Sequence, residues 1–176
     1  MRNLIYFLIT NIVILGFTAC TSSKEKQLKF IQENEQKLLS TATQNIQNNT
    51  TANELTKAYE QYAINNLDDK RSAEFLFKSA EIHTALKQYN EAIANYQTIQ
   101  DKFKQFDKVE ESLFLQAFVY ENYLQNTVKA KDLYREFIQK YPSHELVDDA
   151  QASINFIDKG LTPDEIVKQF EAKRTP

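Results

Sequence analysis

The sequence predicts an all-α protein, an α-solenoid of about four antiparallel helix pairs. Three observations point there: apolar residues recur at a fixed long period, glycine and proline are scarce, and no run alternates like a half-buried strand. Leu39, Leu76, Leu113 and Ala150 stand 37 residues apart, and Ile46, His83, Tyr120 and Ile157 each follow them by seven. A second set, Leu55, Ala92, Ala130 and Ile166, comes about sixteen residues after the first. Tyr59, Tyr96, Tyr134 and Phe170 follow that set by four, and one extra residue between Leu113 and Ala130 is the single slip. A period of this length marks a two-helix unit stacked several times. No single unit buries its own apolar face, so neighbours must cover each other. With only 2 Gly and 3 Pro in 176 residues, long helices with polar connections are favoured over a β-rich fold with many tight turns.

The chain opens MRNLIYFLITNIVILGFTAC. Arg2 gives a positive start, Leu4 to Phe17 is mostly apolar, and a small-residue stretch ends at Cys20, the one cysteine. That order of charge, short apolar core and cleavage site is a secretory signal. The alternative is an uncleaved anchor helix. The apolar run is shorter than the ~18–20 residues a span needs, and Thr10, Asn11 and Gly16 interrupt it. The ending Phe17-Thr18-Ala19-Cys20 resembles a bacterial lipobox, with Phe17 where Leu is usual. The resemblance implies a signal peptide over 1–19 and a lipidated Cys20 opening a tether over 20–26; the periodic pattern places a helical repeat domain over 27–172 and a frayed tail over 173–176. Lipoproteins of this kind normally carry three acyl chains, and two or more make anchoring durable. Thr21, where Asp would imply inner-membrane retention, implies the outer membrane.

The first helix is expected from about Lys24 to Gln47, with Leu28, Ile31, Leu38, Leu39, Ala42 and Ile46 at helical spacing. After the loop Asn48 to Thr51, Thr51 and Glu54 have the spacing of a capping box for the second helix, which carries Leu55, Tyr59, Tyr62 and Ala63. Asn65 to Asp69 breaks it. The third helix runs from Ala73 to Leu86, and Asn90 is the expected cap of the fourth, marked by Ala92, Ile93, Tyr96, Ile99 and Phe103. Val109, Leu113, Ala117, Tyr120 and Leu124 define the fifth; Ala130, Leu133, Tyr134, Phe137 and Ile138 the sixth, which must end before Pro142. Ser143 is the expected cap of the seventh, with Leu146, Val147, Ala150, Ile154 and Ile157, and Gly160 is placed to end it. Thr162, Pro163 and Glu165 signal an eighth helix through Ile166, Val167 and Phe170.

At this point the chain resembles the tetratricopeptide repeat. In that family a large residue, a small one four later and an aromatic three after that mark the first helix, as in Leu76, Ala80, His83 and in Leu113, Ala117, Tyr120. The second helix has a small residue, an aromatic four later and a large apolar residue after three, as in Ala92, Tyr96, Ile99 and in Ala130, Tyr134, Phe137. Small residues let the two helices approach closely. The family implies a right-handed solenoid. The segment Phe137-Ile138-Gln139-Lys140-Tyr141-Pro142-Ser143 is similar to repeats of bacterial outer-membrane lipoproteins of the assembly type (BamD, also called YfiO).

The family also implies a concave surface lined by the first helix of each pair. Carried over residue by residue, the lining is Glu74, Phe77, Glu81 and Thr84, then Glu111, Phe114, Phe118 and Glu121, then Asp148, Gln151 and Asn155, with Lys37, Ser40, Gln44 and Gln47 in the first repeat. The partner-binding groove thus centres on Glu74, Phe77, Glu81, Glu111, Phe114, Phe118 and Glu121. Phenylalanines ringed by carboxylates suit a peptide with apolar and basic residues. The competing reading makes Phe77, Phe114 and Phe118 ordinary core between adjacent helices.

The function classes follow. The net charge of −3 lacks the basic footprint of a nucleic-acid binder. A lipidated Cys20 leaves no thiol for a disulfide, a metal or a nucleophile. His144 and Asp148 share a helix face, but a zinc site needs three or four converging ligands. Asp68-Asp69 and Glu110-Glu111 could suggest acid–base chemistry, but adjacent residues on a helix do not face each other, so the pairs read as solvated surface. No phosphate loop or nucleophile elbow occurs. The expectation is a non-enzymatic scaffold tethered to the outer membrane, facing the periplasm, without cofactor, metal or small-molecule substrate, that binds an envelope protein or peptide. By resemblance it serves outer-membrane protein assembly. A pilot or accessory subunit of a secretion, gliding or pilus machine is the alternative, and an envelope enzyme the third.

Overall fold

The computed structural model describes residues 23–40, 50–160 and Glu165. The signal segment with Cys20, residues 41–49 (with Ala42 and Ile46 of the first expected helix) and the residues expected to form the eighth helix (Ile166, Val167, Phe170) lie outside that range. Every regular element among the described residues is a helix. They are α1 (23–40), α2 (Thr50–Asn65), α3 (Arg71–Ala85), α4 (Tyr89–Lys102), α5 (Val109–Asn122), α6 (Thr127–Lys140) and α7 (Val147–Asp158). The all-α, repeat-built class read from the periodicity is therefore what the chain adopts. Two compact units divide it, Met1–Ser79 and Ala80–Pro176, with the boundary inside α3.

In the first unit α1 and α2 run antiparallel. Lys24 at the start of α1 meets Asp69 just past α2 at 2.6 Å, whereas Glu35, three turns on, accepts from the Tyr59 hydroxyl at 2.6 Å. Leu55, Tyr59, Tyr62 and Ala63 are all buried, as their helical spacing requires. Phe75 of α3 fits between two of them, stacked on Tyr59 at 5.0 Å and edge-on to Tyr62 at 5.0 Å. Such pairs add about 0.5–1.5 kcal/mol beyond the area they bury. The expected tether is helical from residue 23 onward. Leu39 departs from its periodic equivalents: it is 76% exposed, while Leu76, Leu113 and Ala150 are buried. The inward face of α1 is carried by Ile31 and Asn34, both buried, with Leu38 partly covered. Leu39 lies one residue and about 100° beyond that face.

In the second unit α5 packs on both α4 and α6, and α6 on α7. The core joins Leu113, Phe114 and Ala117 of α5 to Ala130, Leu133, Tyr134 and Phe137 of α6 and to Ala150 and Ile154 of α7. Ala92, Ala117, Ala130 and Ala150 have no accessible surface; a larger side chain at any of them would force the helices apart. The aromatic of each second helix, Tyr59, Tyr96 and Tyr134, is buried at 0–2% exposure.

Polar residues also cross the helix pairs. Buried Gln116 of α5 donates to the Gln97 side chain at 3.2 Å and accepts from Gln100 at 3.2 Å, both on α4. At the place 37 residues earlier, buried Ser79 of α3 donates to Glu60 of α2 at 3.1 Å.

The helix ends correct several expected caps. Helix α2 already begins at Thr50, so Thr51 is a buried helical residue and not the cap of a Thr51–Glu54 box. Helix α4 begins at Tyr89, after Gln88 and not Asn90, with no side-chain cap. Helix α7 begins at Val147, later than Ser143 implies, because the chain makes further turns there: the His144 amide donates to the Tyr141 carbonyl, and Val147 to that of His144. Asn126, unmarked in the sequence reading, caps α6 by accepting from the Lys129 amide at 3.1 Å. Gly160 ends α7 at φ 64°, as its position promised. Lys87 does the same for α3 at φ 62°, with the Lys87 and Gln88 amides donating to the carbonyls of Thr84 and His83.

Candidate partner-binding surface

Two of the three phenylalanines assigned to the groove are core residues. Phe77 is 3% exposed and Phe114 is 9% exposed. Phe114 meets the rings of Tyr134 and Phe137 at 5.4 and 5.6 Å, so its face is spent on α6. This corrects the expected lining at both positions. Each immediately follows a core leucine, and a helix covered by neighbours over a wide arc buries that next position too.

Phe118 is different. It is 38% exposed, one turn beyond Phe114 on α5, and Tyr123 and Leu124 beside it at the helix end are 43% and 37% exposed. Its ring stands edge-on to Tyr123 at 6.0 Å. Tyr123 in turn stacks on Tyr89, at the start of α4, at 4.8 Å and 10°. Three aromatic rings thus form one continuous patch across the α4 start and the α5 end. The sequence reading missed Tyr89 and Tyr123, which follow no core period. The antiparallel register set by Gln97 against Gln116 would have found them, since it carries the start of α4 opposite the end of α5.

The carboxylates divide into three kinds. Glu81 and Glu111 both act on the Tyr96 hydroxyl, which is held well above its ordinary range by burial first and then by these two charges and Tyr123. Glu81, Glu111 and Tyr123 thus all act on Tyr96 within the second unit. Glu121 accepts from the buried Tyr134 hydroxyl at 2.8 Å, and burial together with that carboxylate keeps Tyr134 protonated. In the first unit, exposed Glu74 pairs with Lys78 at 3.1 Å, and Lys78 also reaches Glu35 at 3.1 Å. Of the remaining lining residues, Gln151 donates to Asn155 at 3.2 Å and Thr84 to the Ala80 carbonyl at 2.8 Å. Gln44 and Gln47 lie outside the described residues, as does Cys20.

His144 is a capping residue. Its Nδ1 accepts from the Leu146 amide at 3.1 Å, its ring stands edge-on to Phe137 at 5.2 Å, and Nε2 lies 3.8 Å from Glu110. His83 is buried, with Nδ1 2.6 Å from the Gln88 side-chain oxygen. Among the described residues no three His, Cys, Asp or Glu side chains converge to hold a metal ion. No helix among them is long and apolar enough to cross a membrane.

Residues 74–105 and 111–144 match the sequence model of the tetratricopeptide repeat. The two matches cover α3 with α4 and α5 with α6, the two pairs in which the small and aromatic positions are all occupied. No curated protein matches the chain. The helix pairs α3 with α4 and α5 with α6 are thus similar to tetratricopeptide repeats.

Proposed function

We propose that this protein is a lipid-anchored scaffold of the bacterial cell envelope that captures a protein or peptide partner on the aromatic patch of Tyr89, Phe118 and Tyr123. The observation that carries the reading is that patch: three touching rings at one end of the second unit, with Phe118 and Tyr123 exposed and Tyr89 half-buried. Tyr and Phe bury a large area at small rotamer cost, which makes such clusters natural anchor points. Glu81 and Glu111, whose charges act on Tyr96 in the same unit, favour a partner segment with Lys or Arg flanking apolar residues. The lipobox-like Phe17 to Cys20 segment supports outer-membrane attachment through Cys20 on the periplasmic side. The likeness of the Phe137 to Ser143 segment to assembly lipoproteins supports a role in outer-membrane protein assembly.

The test is a double substitution, Phe118→Ser with Tyr123→Ser, in the full-length protein crosslinked in intact cells. Both side chains are exposed, so helix content and melting should stay near wild type. Recovery of the main crosslinked partner should fall at least tenfold. Undiminished recovery from a folded variant would move the binding surface elsewhere. Co-purification of a barrel-assembly complex supports the assembly role, and a secretion or pilus ring in its place would overturn it.

A further inference from the structure

A second open apolar region lies in the first unit, at the end where α1 starts. Ile64 in the last turn of α2 is 68% exposed, and Leu67 in the following turn is 51% exposed. Phe30, 45% exposed, lines an open cleft of about 290 Å³ with Ser23, Lys26, Gln27, Ala58 and Gln61. We infer that this end of the first unit rests on the membrane that holds the Cys20 acyl chains, with Ile64 and Leu67 entering the bilayer interface. The inference builds on the lipoprotein reading and adds which face of the fold meets the lipid.

Three observations carry it. Lys24 is locked to the turn after α2: its ammonium lies 2.6 Å from Asp69, which the Arg71 guanidinium and the Tyr62 hydroxyl each hold at 2.7 Å. The start of α1 and the 66–70 turn are therefore one end of the unit. Next, only three residue steps separate Cys20 from Ser23, where the described helix begins. Fully extended, three residues reach about 10 Å. An acylated Cys20 sits in the interface, so the Lys24–Asp69 end cannot stand far from it. Finally, Ile64 and Leu67 are large apolar side chains exposed at that end, with Lys26 and Lys70, and the acids Glu25 and Asp68, exposed nearby. Long ammonium side chains reach the headgroup layer while apolar neighbours dip below it. A leash this short leaves the bilayer as the occupant of this face.

Acylation consumes the only native thiol, so Ile64→Cys and Leu67→Cys each introduce one free thiol for a spin label in the full-length, membrane-bound protein. Val128→Cys, on the second unit and 71% exposed, is the reference. Oxygen accessibility at 64 and 67 should exceed that at 128 at least twofold in native membranes. Labels at 64 and 67 that are as water-exposed as at 128, on protein shown to carry acyl chains by radiolabelled palmitate, overturn this inference alone. Absence of palmitate from Cys20 overturns the anchor reading and this inference together.

Discussion

Asp69 accepts from the Arg71 side chain through both carboxylate oxygens, at 3.0 and 2.7 Å, and from the Arg71 amide at 3.0 Å. Lys24 and Tyr62 complete its shell. The Arg71 guanidinium, helped by the other donors, holds the carboxyl well below the usual carboxylate range, and burial and the same carboxylate push the Tyr62 hydroxyl up to about 12. Because the folded-state pKa is depressed, Asp69 stabilises the fold fully above about pH 4, the unfolded value, and progressively less as pH falls below it. Asp69→Asn should cost about 2 kcal/mol at pH 7, in the range for hydrogen bonds to a charged group. The gap between wild type and variant should narrow as pH drops below about 4; urea melts at pH 7 and pH 3 measure both. A gap that persists unchanged at pH 3 would mean the ionised carboxylate is not what matters. The sequence reading took the Asp68-Asp69 pair as solvated surface. A shell assembled from residue 24, residue 62 and a turn leaves no periodic trace.

Helix α5 shows how far a periodic stripe can be read. Leu113, Ala117 and the small residues facing them were legible because close helix approach demands them. The width of the buried arc was not, and Phe114 fell on the wrong side of it. At the middle of α5 the packing of α6 covers Phe114; one turn later, near the helix end, the cover runs out at Phe118. Phe114→Ala should therefore destabilise by about 3 kcal/mol, the cost of a core aromatic truncation. Phe118→Ala should stay within about 1 kcal/mol of wild type. Equal losses in thermal melts would contradict the division of the two rings between core and surface. The caps were read less well, since Asn90 and Ser143 are good capping residues placed where backbone turns and His144 already serve the helix starts.

For the whole molecule, the order of helices and their pairing followed from the 37-residue period, while attachment rests on a segment outside the described residues. Cys20→Ser should move the protein from the membrane pellet to the soluble fraction of lysed cells with its helix content unchanged. A variant that stays in the pellet would argue for a second membrane contact strong enough to act alone. A chain built from similar couples carries a hazard that no single couple has: a helix can find the wrong mate. Between the two middle couples the alanine and tyrosine positions offer no protection, because Ala80 and Ala117, Ala92 and Ala130, and Tyr96 and Tyr134 are alike. Ser79 against Glu60 and Gln116 against Gln97 are not alike, although they occupy corresponding places. Exchanging mates would leave the short hydroxyl facing an amide it cannot reach and crowd the longer amide into a gap sized for serine, with polar groups stranded in either case. These two junctions thereby carry different polar matches, which disfavours exchanging one for the other.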